Sequence, residues 1–535
     1  MKRRAFIQTA FFTAALTKLL ASCKTNKKIP GKILGASANI GHILRDGYKG
    51  TASTVTKKKA VIIGGGISGL TAARELIKNN LTDFILLDLE DHVGGNAAHG
   101  KNETSAYPLG AHYIPTPNNN LQEYLSFLQE HNVITGYNEK GLPVYNEYYL
   151  CFDSQERLFI NGRWQEGLIP HYAVPGKELE ETERFLSLMD VFRNKKGADG
   201  KDAFAIPVDQ SSRDADLIQL DSISMSSWMQ KNNFSSEYLH WYINYCTRDD
   251  FGTTYDKISA WAGIHYFAAR KGIGANADHS DVITWPEGNG FLVAALQKNI
   301  KNNTSTNSLA LSVKQEAGII RIEYLDVKKN TLHAIEAEQC ILAVPQFVAA
   351  RLLHDDERKK TVQDHFHYSP WMVANLHVSE LAELNGIELS WDNVMYQSNS
   401  LGYVDATHQL VQQKTMLKNI TYYLPLTEGD CVSARKAAQN KTHEEWVELI
   451  IADLEKIHTG IRDAIKEINI MVWGHAMAQP LPGMIFGTTR QELGTSLNDK
   501  IHFAHTDIAG ISIFEEAFYQ GLGAAKKTIE NLSKK

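Results

Sequence analysis

The stretch from Ala60 to Asn96 constrains this chain more than any other. A β-branched apolar run, Val61 to Ile63, ends in glycines, and an alanine-rich amphipathic segment follows. Gly64, Gly66 and Gly69 form G-x-G-x-x-G, with Ser68 next to the third glycine. A second apolar run, Phe84 to Leu87, ends in Asp88 and Leu89, about 20 residues past the motif. Gly64 permits a tight strand-to-helix turn. Gly66 lets a pyrophosphate approach the backbone, and Gly69 lets the helix pack closely on the strand. The helix N-terminus offers amide donors and a partial positive charge, and Asp88 can accept from a ribose hydroxyl. A lone glycine motif is weak. Strand, helix and acid at the right spacing together predict a bound dinucleotide, and leave NAD and FAD both open.

The residues after Asp88 bear on that choice. Val93-Gly94-Gly95-Asn96 stands just past the acid, and Pro108-Leu109-Gly110-Ala111-His112 follows. Far along the chain, Ile501 to Asp507 is followed by Phe514-Glu515-Glu516-Ala517 and Gly521. These segments resemble the FAD-binding family of flavin-containing amine oxidases, phytoene desaturases and protoporphyrinogen oxidases. The resemblance covers most of residues 57–530 and is specific at the two ends. It implies FAD, with Gly94, Gly95, Gly110, Ala111 and His112 near the flavin side of the site. It implies that Asp507 meets the ribityl chain, that the helix from Phe514 points at the ring, and that Val313 touches the adenine through its backbone. Two departures stand out. Asn96 occupies the position where the family often has arginine, which removes one phosphate contact. No cysteine lies shortly before Ile501, where covalently flavinylated members carry theirs, so the FAD is expected to be non-covalent.

The first 23 residues lie outside the expected fold. Lys2-Arg3-Arg4-Ala5-Phe6-Ile7 is a twin-arginine pattern, and Leu20-Ala21-Ser22-Cys23 looks like a lipoprotein signal-peptidase site. Together they predict export of a folded, cofactor-loaded protein to the periplasmic face, anchored to the membrane by lipid on Cys23. The four remaining cysteines are scattered, with no C-x-x-C, and read as small core residues. A net charge of −6 and the lack of a basic stripe argue against a nucleic-acid partner. No later run of about 18 apolar residues suggests a membrane span. The histidines never fall at ligand spacing with acids or thiols, so no metal is expected.

The expected fold is α/β: a Rossmann-like FAD-binding domain of glutathione-reductase type with an interleaved α+β substrate domain. Residues 24–56 read as a polar tether. Within it, the patterned stretch from Gly35 to Asp46 suggests either a surface segment packed on the body or a docking segment for a partner. Residues 57–120, 281–350 and 476–535 are assigned to the discontinuous FAD domain, and 121–280 and 351–475 to the substrate domain. Asn161-Gly162 predicts a hairpin turn, and 170–280 reads as mostly helical. Gly272-Ile273-Gly274-Ala275-Asn276-Ala277 fits a second nucleotide motif but follows a helical stretch, so it reads as a decoy. Gly521-Leu522-Gly523 reads as a packing feature.

Flavin chemistry asks a protein to position a substrate carbon and exclude water. Trp473, Phe514 and, more weakly, Tyr519 are the candidate aromatic walls, with ordinary core packing as the competing reading. His475 and His112 are candidate proton carriers, against a scaffolding role. The family's oxidases often use a lysine near the flavin, and Lys271 is the middle-domain candidate. Arg248-Asp249-Asp250 is either a salt-bridge corner or an anchor for a polar substrate. The expected activity is removal of a hydride from a C–N or C–C bond of a small organic molecule, with oxygen or a quinone taking the electrons. The alternatives are a desaturase or isomerase acting on an apolar substrate, and a non-catalytic flavin-binding partner at the membrane.

Overall fold

The computed structural model describes residues 27–316, 318–411 and 416–534. Residues 1–26, with the twin-arginine pattern and Cys23, lie outside them. Among the described residues no helix is long and apolar enough to cross a membrane.

Two seven-stranded sheets organise the chain. The first is built on the opening motif. Val55–Ile63 runs parallel to Phe84–Leu87 on one side and to Thr331–Leu342 on the other. Ala60 to Ile63 are fully or almost fully buried, as expected for a parallel strand covered on both faces. Thr331–Leu342 then pairs antiparallel with Ile319–Asp326, which pairs with Ser308–Glu316. Its last residues, Cys340 to Leu342, take Ile501–Phe503 as a parallel neighbour. The two ends of the chain therefore meet in one sheet. Helix Phe514–Ser533 closes the domain against helix Ile67–Lys78. Gly521 makes that crossing possible: a Cβ there would lie 2.1 Å from the Ser68 carbonyl oxygen.

The second sheet has the order Ile465–Ala478, Tyr368–Val378, Lys418–Pro425, Tyr403–Asp405, Asp392–Met395, Glu156–Ile160, Arg163–Glu166. Its last two strands form the hairpin expected at Asn161-Gly162. Both turn residues take positive φ, at 51° and 77°, which suits a tight two-residue hairpin turn. All eleven residues of Tyr368–Val378 are buried, because the strand is central and covered on both faces. Residues 176–268 are mainly helical and lie beside this sheet. Helix Glu237–Phe251 begins at an N-cap, Ser236, whose hydroxyl accepts from the Leu239 amide at 3.3 Å. It ends at Gly252 with φ 64°.

The expected tether is docked instead. Pro30 and Lys32 carbonyls accept from the Ile468 and Ile470 amides, and the Leu34 amide donates to Ile470. Residues 38–46 form a helix. The polar composition concealed an edge-strand contact, which is made by backbone groups and leaves little trace in side-chain pattern. The Gly272–Ala277 stretch is a packing loop. Gly272 lies under the Thr116 and Pro117 carbonyls, and Asn276 exchanges hydrogen bonds with the Tyr145 backbone.

Candidate functional site

The dinucleotide loop has the geometry its glycines require. Gly64 sits at φ 102°, a region only glycine occupies without strain. A Cβ on Gly69 would lie 1.9 Å from the Gly64 carbonyl oxygen, whereas a Cβ on Gly66 would meet nothing within 4 Å. The open side of Gly66 is where a phosphate could approach. Asp88 Oδ2 accepts from the Gly65 amide at 2.6 Å, and Oδ1 accepts from the Glu90 amide at 2.8 Å. Burial raises the Asp88 carboxyl to about 6, against the lowering effect of those two amides. Leu89 is half-buried beside it. The Gly94 amide donates to the Gly65 carbonyl at 2.8 Å, so the glycine pair is tied to the loop. Val313 is buried in the sheet beneath.

The segment from Asn96 to His112 continues this floor. The Ala111 amide donates to the Asn96 carbonyl, and a Cβ on Gly110 would lie 2.3 Å from that same oxygen. The Asn96 side chain donates to the Ala476 carbonyl at 2.6 Å and so ties the floor to the substrate sheet. Asp507 is fully buried. Its Oδ2 accepts from the Gln346 amide and the Tyr368 hydroxyl, both at 2.7 Å. Its Oδ1 lies 3.0 Å from His505 Nδ1, which already accepts from the Asp507 amide, so Oδ1 lacks an aligned donor. Burial pushes the carboxyl up, but His505 and the hydrogen bonds outweigh it and hold the group below its ordinary value. An ionised oxygen without a donor, together with the cradle at Gly66, suits a ligand with hydroxyls at one end and phosphates further along.

Two adjoining cavities complete the site. The smaller, about 180 Å³, is lined by Asn96, Gly110, Ala111, Trp371, Val373, Trp473 and Phe514 among others. Strand register explains this wall. Trp371 is paired with Trp473, and Val373 with Tyr423, so these side chains rise from one sheet face. Trp473 Nε1 donates to the Leu109 carbonyl at 2.7 Å, which fixes the indole. Phe514 starts the last helix and packs on Tyr124, with ring centroids 5.7 Å apart.

The larger cavity, about 560 Å³, shares His112, Tyr113, Asp249, Arg270 and Tyr423 with the smaller one. Helix Glu237–Phe251 contributes Tyr242, Tyr245, Cys246 and Asp249, at the spacing of a single helix face. Glu156, Trp391 and Asp392 come from the sheet side. Desolvation raises the Glu156 carboxyl to about 6 and Asp249 to about 7, and holds Asp392 well above its ordinary value. Arg270 Nη2 donates to Asp250 Oδ1 at 2.7 Å. Among the described residues no lysine lines either cavity.

Several expected residues lie elsewhere. His475 lines neither cavity. It stacks on Phe347 at 4.3 Å, and burial lowers its pKa to about 3. Tyr519 reaches Glu123 on the surface at 3.5 Å, away from both cavities. Lys271 is turned out to Asp202 at 3.1 Å. The Arg248-Asp249-Asp250 trio divides between two roles. Arg248 donates to the Ser398 and Asn399 carbonyls, while the two aspartates face the cavities. His112 does line both cavities, neutral, with its pKa lowered to about 3 by burial. The sequence reading missed Arg270, Glu156, Asp392, Trp371 and Tyr423. Asp392, charged but flanked by Trp391 and two residues before the apolar pair Val394-Met395, was the one available hint.

A family described as NAD(P)-binding Rossmann-like domain matches residues 62–128. Polyamine oxidase 7 of Oryza sativa subsp. japonica is 26% identical over 100 residues, 18% of this chain and 21% of that protein. Tryptophan 2-monooxygenase of Pantoea agglomerans pv. gypsophilae is 36% identical over 87 residues, 15% of this chain and 16% of that protein. The chain thus spans about a fifth or less of the length of these curated relatives. Among solved structures, a redesigned putrescine oxidase superposes with a TM-score of 0.66 at 16% identity, covering 89% of this chain and 100% of that one. The chain therefore shares its fold with that putrescine oxidase, and residues 62–128 match the family described as NAD(P)-binding Rossmann-like domain.

Proposed function

We propose that this protein is an FAD-dependent oxidoreductase of amine-oxidase type, acting on a small cationic amine. The observation that carries this reading is the paired cavity. An apolar chamber walled by Trp371, Val373, Trp473 and Phe514 opens into a larger one, where Glu156, Asp249 and Asp392 stand among tyrosines. Burial holds these carboxyls above their ordinary range, so an entering ammonium group would favour their ionised form, with aromatic faces beside it. The apolar chamber favours the carbon next to it and excludes water.

Bound FAD would supply a two-electron centre that accepts hydride. Gly66, Asp88, Gly94, Gly95 and Asp507 would hold it, without a covalent link, a reading that rests on the lack of a cysteine shortly before Ile501. The protein's own part is proton handling and orientation. An amine gives up hydride only after losing its ammonium proton. Asp249 borders both cavities with a carboxyl near 7, the range in which a group both takes and releases a proton at neutral pH. Asp392 and Glu156 would ionise beside the bound cation and pair with it, and neutral His112 packs at a tilt against Tyr423, ring centroids 4.6 Å apart, as part of the wall. The product imine is hydrolysed by water to a carbonyl compound, and oxygen or a quinone takes the electron pair.

The deciding experiment is anaerobic mixing of the yellow protein with diamines, polyamines, monoamines, amino acids and polyenes. Bleaching by an amine supports the proposal. An apolar substrate rearranged without net oxidation, with no amine bleaching the flavin, would replace it with the desaturase or isomerase reading. Export and lipid anchoring at Cys23 belong to the same proposal, on the strength of the Arg3-Arg4 and Leu20–Cys23 patterns. Mass spectrometry that finds an unlipidated mature N-terminus would remove that part.

A further inference from the structure

The first described residues do something that neither the fold nor the proposed reaction requires. From Pro30 to Leu34 the backbone is hydrogen-bonded to Ile468 and Ile470 of the substrate sheet. Three residues later the chain is fixed to the other domain. Glu90, two residues beyond Asp88, accepts from the Ser37 amide at 2.9 Å and from its hydroxyl at 2.6 Å. Between these attachments Leu34 packs beside Trp473 and Leu109. Helix Ala38–Asp46 then packs on strand Ser308–Glu316, which carries Val313, and on helix Gln346–Leu352, whose first amide binds Asp507. Gly41 faces Leu89, with a hypothetical Cβ at 3.6 Å. The segment thus follows the dinucleotide groove from its flavin end to its adenine end.

The helix is also incompletely seated. Its apolar residues Ile40, Ile43 and Leu44 are only half-buried, and none of its nine residues is fully buried. An amphipathic helix that packs directly on a core buries its apolar stripe. One that spans a groove does so only when the groove is filled.

We propose that residues 33–46 are a strap that closes over the bound cofactor, latched by Ser37 on Glu90, so that FAD enters and leaves only when the latch is open. This rests on the FAD reading above. The latch is a charge-assisted pair of hydrogen bonds at the groove's rim, and the strap's own half-buried face is the surface that FAD would cover.

The test uses the full chain carrying FAD, with Ser37→Ala and Glu90→Gln made singly and together. Flavin release after dilution is followed by the rise of free-flavin fluorescence. The double variant should release FAD about tenfold faster or more, with unchanged secondary structure by circular dichroism. In the wild type, trypsin cleavage at Arg45 should slow at least tenfold when FAD is bound. An unchanged release rate in the double variant overturns the strap. So does equal cleavage at Arg45 with and without FAD. A wild-type protein that takes up no FAD at all overturns the underlying cofactor reading, and the strap with it. That outcome is distinct from a protein that binds FAD with an indifferent strap.

Discussion

Arg270 binds Asp250 at 2.7 Å under the paired cavities, and the neighbouring Asp249 has no such partner. One guanidinium therefore pairs with one carboxylate, while Asp249, Glu156 and Asp392 line the larger chamber together with Glu166 and Asp281. The other arginine of that chamber, Arg193, is engaged by Asp190 and the Phe267 carbonyl. The proposed preference for a cation rests on this imbalance.

Removing Arg270 should cost far more than the pair is worth. Arg270→Met leaves Asp250 buried without its cation, a change of about 3–5 kcal/mol. The Arg270→Met, Asp250→Asn double variant should recover much of that loss, because no orphan charge remains. Thermal unfolding of the two variants checks this. Equal loss in both would mean that Arg270 matters for its packing alone.

Asp392→Asn should separate stability from binding. Folding raises the Asp392 carboxyl above its unfolded value by burial, with Glu156 and Asp249 adding to the effect. The folded state therefore holds its proton more tightly, and stability is lost as pH rises through the window between the two values. The asparagine variant should melt higher than wild type at pH 8, with the gain shrinking toward pH 4. Its affinity for a diamine should fall about tenfold. A variant that melts lower at every pH would show that the carboxylate is a structural hydrogen-bonding group.

The acid limb of turnover should belong to Asp249. With its carboxyl near 7, a proton acceptor there gains competence between pH 6 and 8, so kcat/KM for an amine should rise across that range. Asp249→Asn should remove the limb and lower kcat/KM by about 10²-fold or more. His112→Asn should leave the limb in place, since burial already keeps His112 neutral down to about pH 3. Loss of the limb in the histidine variant would reassign the proton to His112.

The sequence disclosed this protein unevenly, for physical reasons. The opening motif was legible because phosphate binding and helix packing impose glycine at fixed positions, and no other residue tolerates the 1.9 Å approach at Gly69. The closing segment at Asp507 and Phe514 was legible because it must return to the same sheet. The cavity was not. Trp371 and Tyr423 meet Trp473 and Val373 only through strand register, and a one-residue slip would turn them to the other face. Arg248 and Asp249 are sequence neighbours that a helix turns about 100° apart, so adjacency suggested a cluster that the fold divides. His475 carried the marks of a proton carrier, and the fold stacks it on Phe347 away from the two cavities, a placement that sequence neighbours do not disclose.

The second and third glycines of the opening motif give the sharpest discrimination between fold and cofactor. Both stand in the same turn and helix start, yet their surroundings differ. At Gly69 a Cβ would lie 1.9 Å from the Gly64 carbonyl oxygen, so Gly69→Ala must push the helix off the strand in either the free or the loaded protein. At Gly66 the backbone is at φ −71°, which alanine adopts freely, and a Cβ would meet nothing within 4 Å. Gly66→Ala should therefore fold with a melting temperature close to that of the wild-type apoprotein. A methyl group there would occupy the space a pyrophosphate needs, so FAD content should drop at least tenfold. Flavin content by absorbance and thermal unfolding of the apoproteins read the two effects separately. Full FAD retention by Gly66→Ala would mean that the phosphates do not pass over this glycine, and the dinucleotide assignment of the groove would fall with it.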